Sequence, residues 1–117
     1  MTNIDREYIL NSFLENIASA SDTEYQKRVW IKGEGPECDD YDEFMNYFFD
    51  QGEFILKKYK SYGISNSQYD LLLKFQEKLD AFTPNEWDFI NDPEWIEIVK
   101  MAKEVLKVFN WKSKKHR

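Results

Sequence analysis

Apolar residues in this chain recur at every third or fourth position along most of its length, a period that belongs to helices. In the first segment Ile4, Tyr8, Ile9, Phe13, Leu14 and Ile17 form one such stripe. A second runs through Tyr41, Phe44, Met45 and Phe48, and a third through Leu71, Leu72, Phe75, Leu79 and Phe82. The last holds Ile96, Val99, Ala102, Val105, Leu106 and Phe109. Each stripe leaves water only when another helix covers it, so the pattern predicts helices packed on a shared core. The best strand candidate is residues 28–32, with Val29, Trp30 and Ile31 in a row, and it is short. The fold expected is all-α: a single compact domain of about five to seven helices over residues 1–111, then a basic C-terminal tail at 112–117. A chain of 117 residues is long enough to bury a real core.

The stripes are punctuated by caps and breakers. Ser21 or Asp22 can cap a short helix through Tyr25, Val29 and Trp30. Gly33-Glu34-Gly35-Pro36 breaks the chain, and Asp39 or Asp40 restarts it. Gly52 is expected to kink or divide the next helix, which Gly63 ends in the position where helices commonly place glycine. A further helix is predicted from about Ser67 to Phe82. Thr83-Pro84-Asn85-Glu86 reads as a helix start, and Asp92-Pro93-Glu94 repeats the same logic. Trp30, Trp87 and Trp95 fall in helical apolar periods and are expected in the core.

Charge then narrows the functional classes. The formal net charge is −6, but Lys112, Lys114, Lys115 and Arg117 crowd the end of the chain, and removing their +4 leaves −10 on residues 1–111. Such a body repels phosphate backbones, so direct nucleic-acid binding is not expected. The one cysteine, Cys38, excludes an internal disulfide, and with the single His116 it supplies no zinc set. Cys38 lies between Glu37 and Asp39, which disfavour a thiolate, and no histidine stands ready as a general base. The run from Asp39 to Glu43 fails as a calcium loop: counted from Asp40, the sixth position is Met45 rather than glycine, and Phe44 fills a ligand position. No enzyme, no metal and no cofactor is expected. The N-terminus lacks the pattern of a signal peptide and no apolar run is long enough to span a bilayer, so the expectation is a cytoplasmic protein without a membrane partner.

What remains is an unusual arrangement of acids. Between Lys32 and Lys57 lie Glu34, Glu37, Asp39, Asp40, Asp42, Glu43, Asp50 and Glu53, with no base among them. Between Lys78 and Lys100 a second such stretch holds Glu86, Asp88 and Glu94 around Trp87 and Trp95. If residues 40–51 are helical, Asp40, Glu43, Tyr47 and Asp50 share one face, opposite the apolar stripe. Acids also cluster at helix N-termini simply because they cap amides and complement the dipole, which is the plainer reading of Asp39, Asp40, Asp42 and Glu43 taken singly. It does not account for Asp50 and Glu53. An aromatic ringed by carboxylates suits the centre of an interface with a basic protein. The expected contact residues are Asp39, Asp40, Asp42, Glu43, Tyr47 and Asp50, with Glu86 and Asp88 as a second patch.

The stretch from Arg28-Val29-Trp30 through Gly35-Pro36 to Asp39-Asp40-Tyr41-Asp42-Glu43, followed by Phe48-Phe49-Asp50, resembles small bacterial immunity proteins of contact-dependent growth inhibition systems. Asp92-Pro93-Glu94-Trp95 with Ala102-Lys103 is similar to the last helix of that group, and the likeness spans roughly residues 20–110. It implies a cytoplasmic protein that binds the toxic C-terminal domain of a delivered effector, commonly a nuclease, in a 1:1 complex. The resemblance supplies no contact residues; those rest on charge alone. The alternative is a non-catalytic helical adaptor or homo-oligomeric interaction protein with no toxin partner.

Overall fold

A computed structural model describes residues 3–84 and 89–112. Among these every regular element is helical: α1 (Asn3–Ala20), α2 (Thr23–Tyr25), α3 (Tyr41–Lys57), α4 (Asn66–Ala81) and α5 (Pro93–Val108). Single turns of 3₁₀-helix at Tyr59–Tyr62 and Phe89–Asn91 join them. The short helix expected through Tyr25, Val29 and Trp30 is present, and residues 28–32, the best strand candidate, form no strand. Backbone Gln26–Ile31 continues α2 as a π-helix, with the Lys32 amide bonded five residues back to the Lys27 carbonyl at 3.1 Å. Burial explains the outcome. Gln26, Val29 and Trp30 all point inward from it, a spacing that a helix can bury on one side and an alternating strand cannot.

The starts are set by local chemistry. Asp22 accepts a bond from the Tyr25 amide, Asp40 from Glu43, and Asp92 from Glu94, each in extended backbone just outside its helix. Helix α4 begins earlier than its apolar stripe suggests because Ser65 and Gln68 form a reciprocal capping box. Helix α3 ends at Lys57, short of the glycine expected to close it, and Gly63 instead closes the following 3₁₀ turn at φ +75°. Gly52 does not divide the helix. Helix α3 continues through it unbroken, and the bare glycine lies against the ring of Phe13, 3.5 Å from where a Cβ would stand. Of the start signal at residues 83–86, Thr83 and Pro84 are not helical, and Asn85 and Glu86 lie outside the described residues, as does Trp87.

Three helix pairs enclose the core: α1 on α3, α1 on α5, and α4 on α5. Phe13 stacks on Phe48 with centroids 5.2 Å apart. Trp95, fully buried, sits in a cage of Trp30, Tyr41, Phe82 and Phe89. Its indole N–H donates to Gln26 Oε1 at 2.9 Å, and Gln26 Nε2 donates in turn to the Ser19 carbonyl at 2.9 Å. Every buried side-chain nitrogen and oxygen among the described residues is bonded, so this polar chain through the core carries no orphan. Trp30 and Trp95 are core residues as expected. Two apolar residues assigned to buried stripes are not: Tyr8 is 73% exposed and Ile96 is 43% exposed, with Ile98 taking the inward place on α5.

Candidate interaction surface

The loop between Ile31 and α3 brings the acidic segment onto the body. Gly33 and Gly35 both adopt positive φ, +67° and +95°. At Gly35 this freedom is needed twice, because an added Cβ would collide with Arg28 Nη1 and come within 2.6 Å of Glu37 Oε1. Arg28 uses that space to grip Glu37 with two bonds of 2.8 Å while reaching the Glu34 carbonyl at 3.3 Å. The pair is substantially exposed, so solvent screening leaves it little net stabilising effect. What it fixes is the path of the loop.

Asp39 follows, and its carboxylate is committed inward. Oδ2 accepts from the Tyr25 hydroxyl at 2.8 Å and from the Trp30 indole at 2.9 Å, while Oδ1 accepts the Asp40 amide at 3.0 Å. Three neutral donors hold this acid in place, and the Trp30 bond ties the loop to the aromatic core. Asp39, expected among the contact residues, is therefore first a strut of the fold. Asp40 is likewise engaged as the cap of α3, its Oδ1 accepting from Glu43 at 2.8 Å.

Beyond the cap, α3 presents the stripe that its periodicity predicts. Asp40, Glu43, Tyr47 and Asp50 are all exposed, while Phe44 and Phe48 are fully buried and Tyr41 and Met45 half-buried on the other side. Asp42, Glu43, Asp50 and Glu53 have no ion-pair partner among the described residues. The lysines of this helix and its sequel, Lys57, Lys58 and Lys60, lie at the far end. Glu43 and Lys57 are fourteen residues apart, which is about 21 Å along a helix. That exceeds the Debye length of about 8 Å at physiological salt, so the lysines do not neutralise the acidic end.

Helix α1 runs antiparallel beside this stripe. Asn16 donates to the Phe44 carbonyl at 3.3 Å, and Phe13 meets Phe48 and Gly52, so falling numbers on α1 match rising numbers on α3. Partial burial holds the Tyr47 phenol above its usual pKa against the opposing influence of the Ser12 hydroxyl beside it, with Tyr8 and Glu15 adding to the rise. Where the two helices meet the loop, a cleft of about 250 Å³ opens between Glu15, Asn16, Tyr25, Asp39 and Tyr47.

Two large residues on this side were not singled out by sequence reasoning. Phe54, 70% exposed, follows Tyr47 by seven residues and so shares its face. Tyr8, 73% exposed, stands one α1 turn before Ser12. The signal for Phe54 was present in its seven-residue spacing, whereas nothing local distinguishes Tyr8 from a core residue. The expected second patch, Glu86 and Asp88, lies outside the described residues, as does the tail beyond Lys112. Among the described residues no group of three or more acids, histidines or cysteines is placed to hold a metal ion, and no helix is long and apolar enough to cross a membrane. No family model, curated protein or solved structure matches this chain.

Proposed function

We propose that this protein is a non-catalytic, stoichiometric inhibitor of a basic toxin domain, an immunity protein of the contact-dependent growth inhibition type. The observation that carries the reading is the α3 stripe of Asp40, Glu43 and Asp50 around Tyr47: exposed, continuous, and with no ion pair to these acids among the described residues. A nuclease toxin must hold a polyanion and so carries a positive groove, which a rigid negative surface can occupy. The sequence resemblance described above supports the same reading. On it, the complex is 1:1 and cytoplasmic, forms with neither membrane nor nucleic acid as direct partner, and uses Asp42 as a flanking charge.

The test is co-expression with the toxin domain encoded immediately upstream, scoring survival and co-purification. Replacing Glu43 and Asp50 together by Lys reverses the field on one face without touching a core side chain or the Asp40 cap. The variant is expected to keep its helical circular dichroism and lose protection. Undiminished protection would place the contact elsewhere.

A second reading, a helical adaptor or self-associating protein, draws on the exposed rings of Tyr8 and Phe54. Solution mass separates the two. Self-association without toxin capture favours the adaptor.

A further inference from the structure

We infer that the affinity of this surface resides in two exposed aromatic anchors, Phe54 and Tyr8, and that the carboxylates around them govern the rate of encounter instead. This inference rests on the proposed function and assigns the parts of that interface.

The largest exposed apolar side chains of the described residues are Tyr8, Tyr47, Phe54, Ile96 and Val108. Ile96 and Val108 stand on α5. The other three gather on one side, where α1 and α3 lie antiparallel. Tyr47 and Phe54 are two helical turns apart on one face of α3. The antiparallel register puts Ser12 beside Tyr47, so Tyr8, one turn back on α1, comes abreast of the α3 turn between Tyr47 and Phe54. The electrostatic influence of Tyr8 on the Tyr47 phenol agrees with that placement. Neither Tyr8 nor Phe54 makes a ring contact with another described residue, whereas the core rings of Phe13, Phe48, Trp30 and Trp95 do.

An isolated exposed ring needs no explanation, but three on one face with carboxylates around them have the layout of an interface centre. Glu43 and Asp50 border the triad on α3, Glu53 adjoins Phe54 and Glu7 adjoins Tyr8, all of them exposed, while Lys57 and Lys58 follow one turn beyond Phe54 and Arg6 stands two residues before Tyr8. The occupant this fits is the basic toxin domain, presenting a shallow apolar hollow rimmed by Lys and Arg. Charge complementarity fixes the sign of the rim, and the protruding rings fix the shape of the hollow. Aromatic anchors that leave water on binding slow dissociation, whereas rim charges mainly accelerate association.

Binding kinetics of the purified toxin domain decide the matter, using the full chain and three variants: Phe54→Ala, Tyr8→Ala, and Asp40→Asn with Glu43→Gln and Asp50→Asn. Both aromatic residues are exposed, so the variants are expected to fold, and circular dichroism checks this. Each aromatic truncation should raise the dissociation rate at least about tenfold, with the association rate and its salt slope unchanged. The neutralised triple variant should associate more slowly, with a shallower salt slope and a smaller change in dissociation. Dissociation at the unmodified rate after both truncations overturns the inference while leaving the proposed function standing. A chain that never captures the toxin domain overturns both. Self-association that Phe54→Ala abolishes, with toxin release unaltered, gives the face to a second copy and also overturns the inference.

Discussion

At the scale of single residues, the acidic segment divides by what each carboxylate touches. Asp39 faces Tyr25 and Trp30, Asp40 closes a helix end, Glu37 answers Arg28, and Glu43 and Asp50 face water. Sequence spacing alone does not sort them, because Asp39 and Asp40 are adjacent and chemically alike. The partner of Asp39 is an indole nine residues away, brought round by the Gly35 turn. Tyr41 shows a related effect on a neutral group. Burial, reinforced by neighbouring Asp42, raises its phenol pKa from 10.0 to about 12. The unfolded chain releases this proton near pH 10 and the folded chain only near 12, so the unfolded state binds fewer protons in between. The stability contributed by the neutral phenol is thus complete below about pH 10 and lost as pH rises through about 12. Tyr41→Phe keeps the ring contacts with Trp30, Phe89 and Trp95. Its urea midpoint should match the unmodified protein at neutral pH and fall less steeply across the alkaline window. An identical alkaline fall in both proteins would deny Tyr41 this part.

At the scale of elements, the helices were legible where two local signals agreed. In α5, the Asp92 cap and Pro93 coincide with the start of the apolar period, and the helix begins there. In α4 the stripe was legible, but its first turn comes from the Ser65–Gln68 capping box, whose apolar neighbours give no periodic cue. At 28–32 the strand-forming run Val29-Trp30-Ile31 competes with the Asp22 cap, and the expected helix prevails with its inward face met by Gln26 and Trp95 across the core. Gly52 does not divide α3. Glycine disfavours helices by roughly 1 kcal/mol relative to alanine, a weak preference that neighbouring Phe44, Phe48, Ile55 and Leu56 override by burying one continuous face. Because a Cβ there would meet Phe13 at ordinary contact distance, 3.5 Å, Gly52→Ala should stabilise the protein by about 0.5–1 kcal/mol. A raised urea midpoint at unchanged slope checks this. A lowered midpoint would mean that the Phe13 ring has no room to give.

At the scale of the whole molecule, charge is unevenly placed along α3. Acids fill its first turns, while Lys57, Lys58 and Lys60 follow at its far end. A field so arranged orients a cationic partner before contact. Association with a basic toxin domain should therefore approach about 10⁸ M⁻¹s⁻¹ at low salt and fall steeply as salt rises, against roughly 10⁵–10⁶ M⁻¹s⁻¹ for an unsteered pair. Stopped-flow mixing over a salt series measures this. A flat salt profile would remove electrostatic steering from the account.

The sequence by itself determined the helical class, most caps, the apolar stripes and the acidic face of α3, because each depends on residues within a few positions of one another. Only the tertiary structure decided which acids stay free and which become struts, and which aromatics the core leaves outside. Those outcomes turn on meetings between distant segments: Trp30 with Asp39, Gln26 with Trp95, Phe13 over Gly52, and Tyr8 left on the rim where α1 passes α3. A helical period says that a side chain lies on a given face. It takes a second helix, at a definite position, to say whether that face is covered.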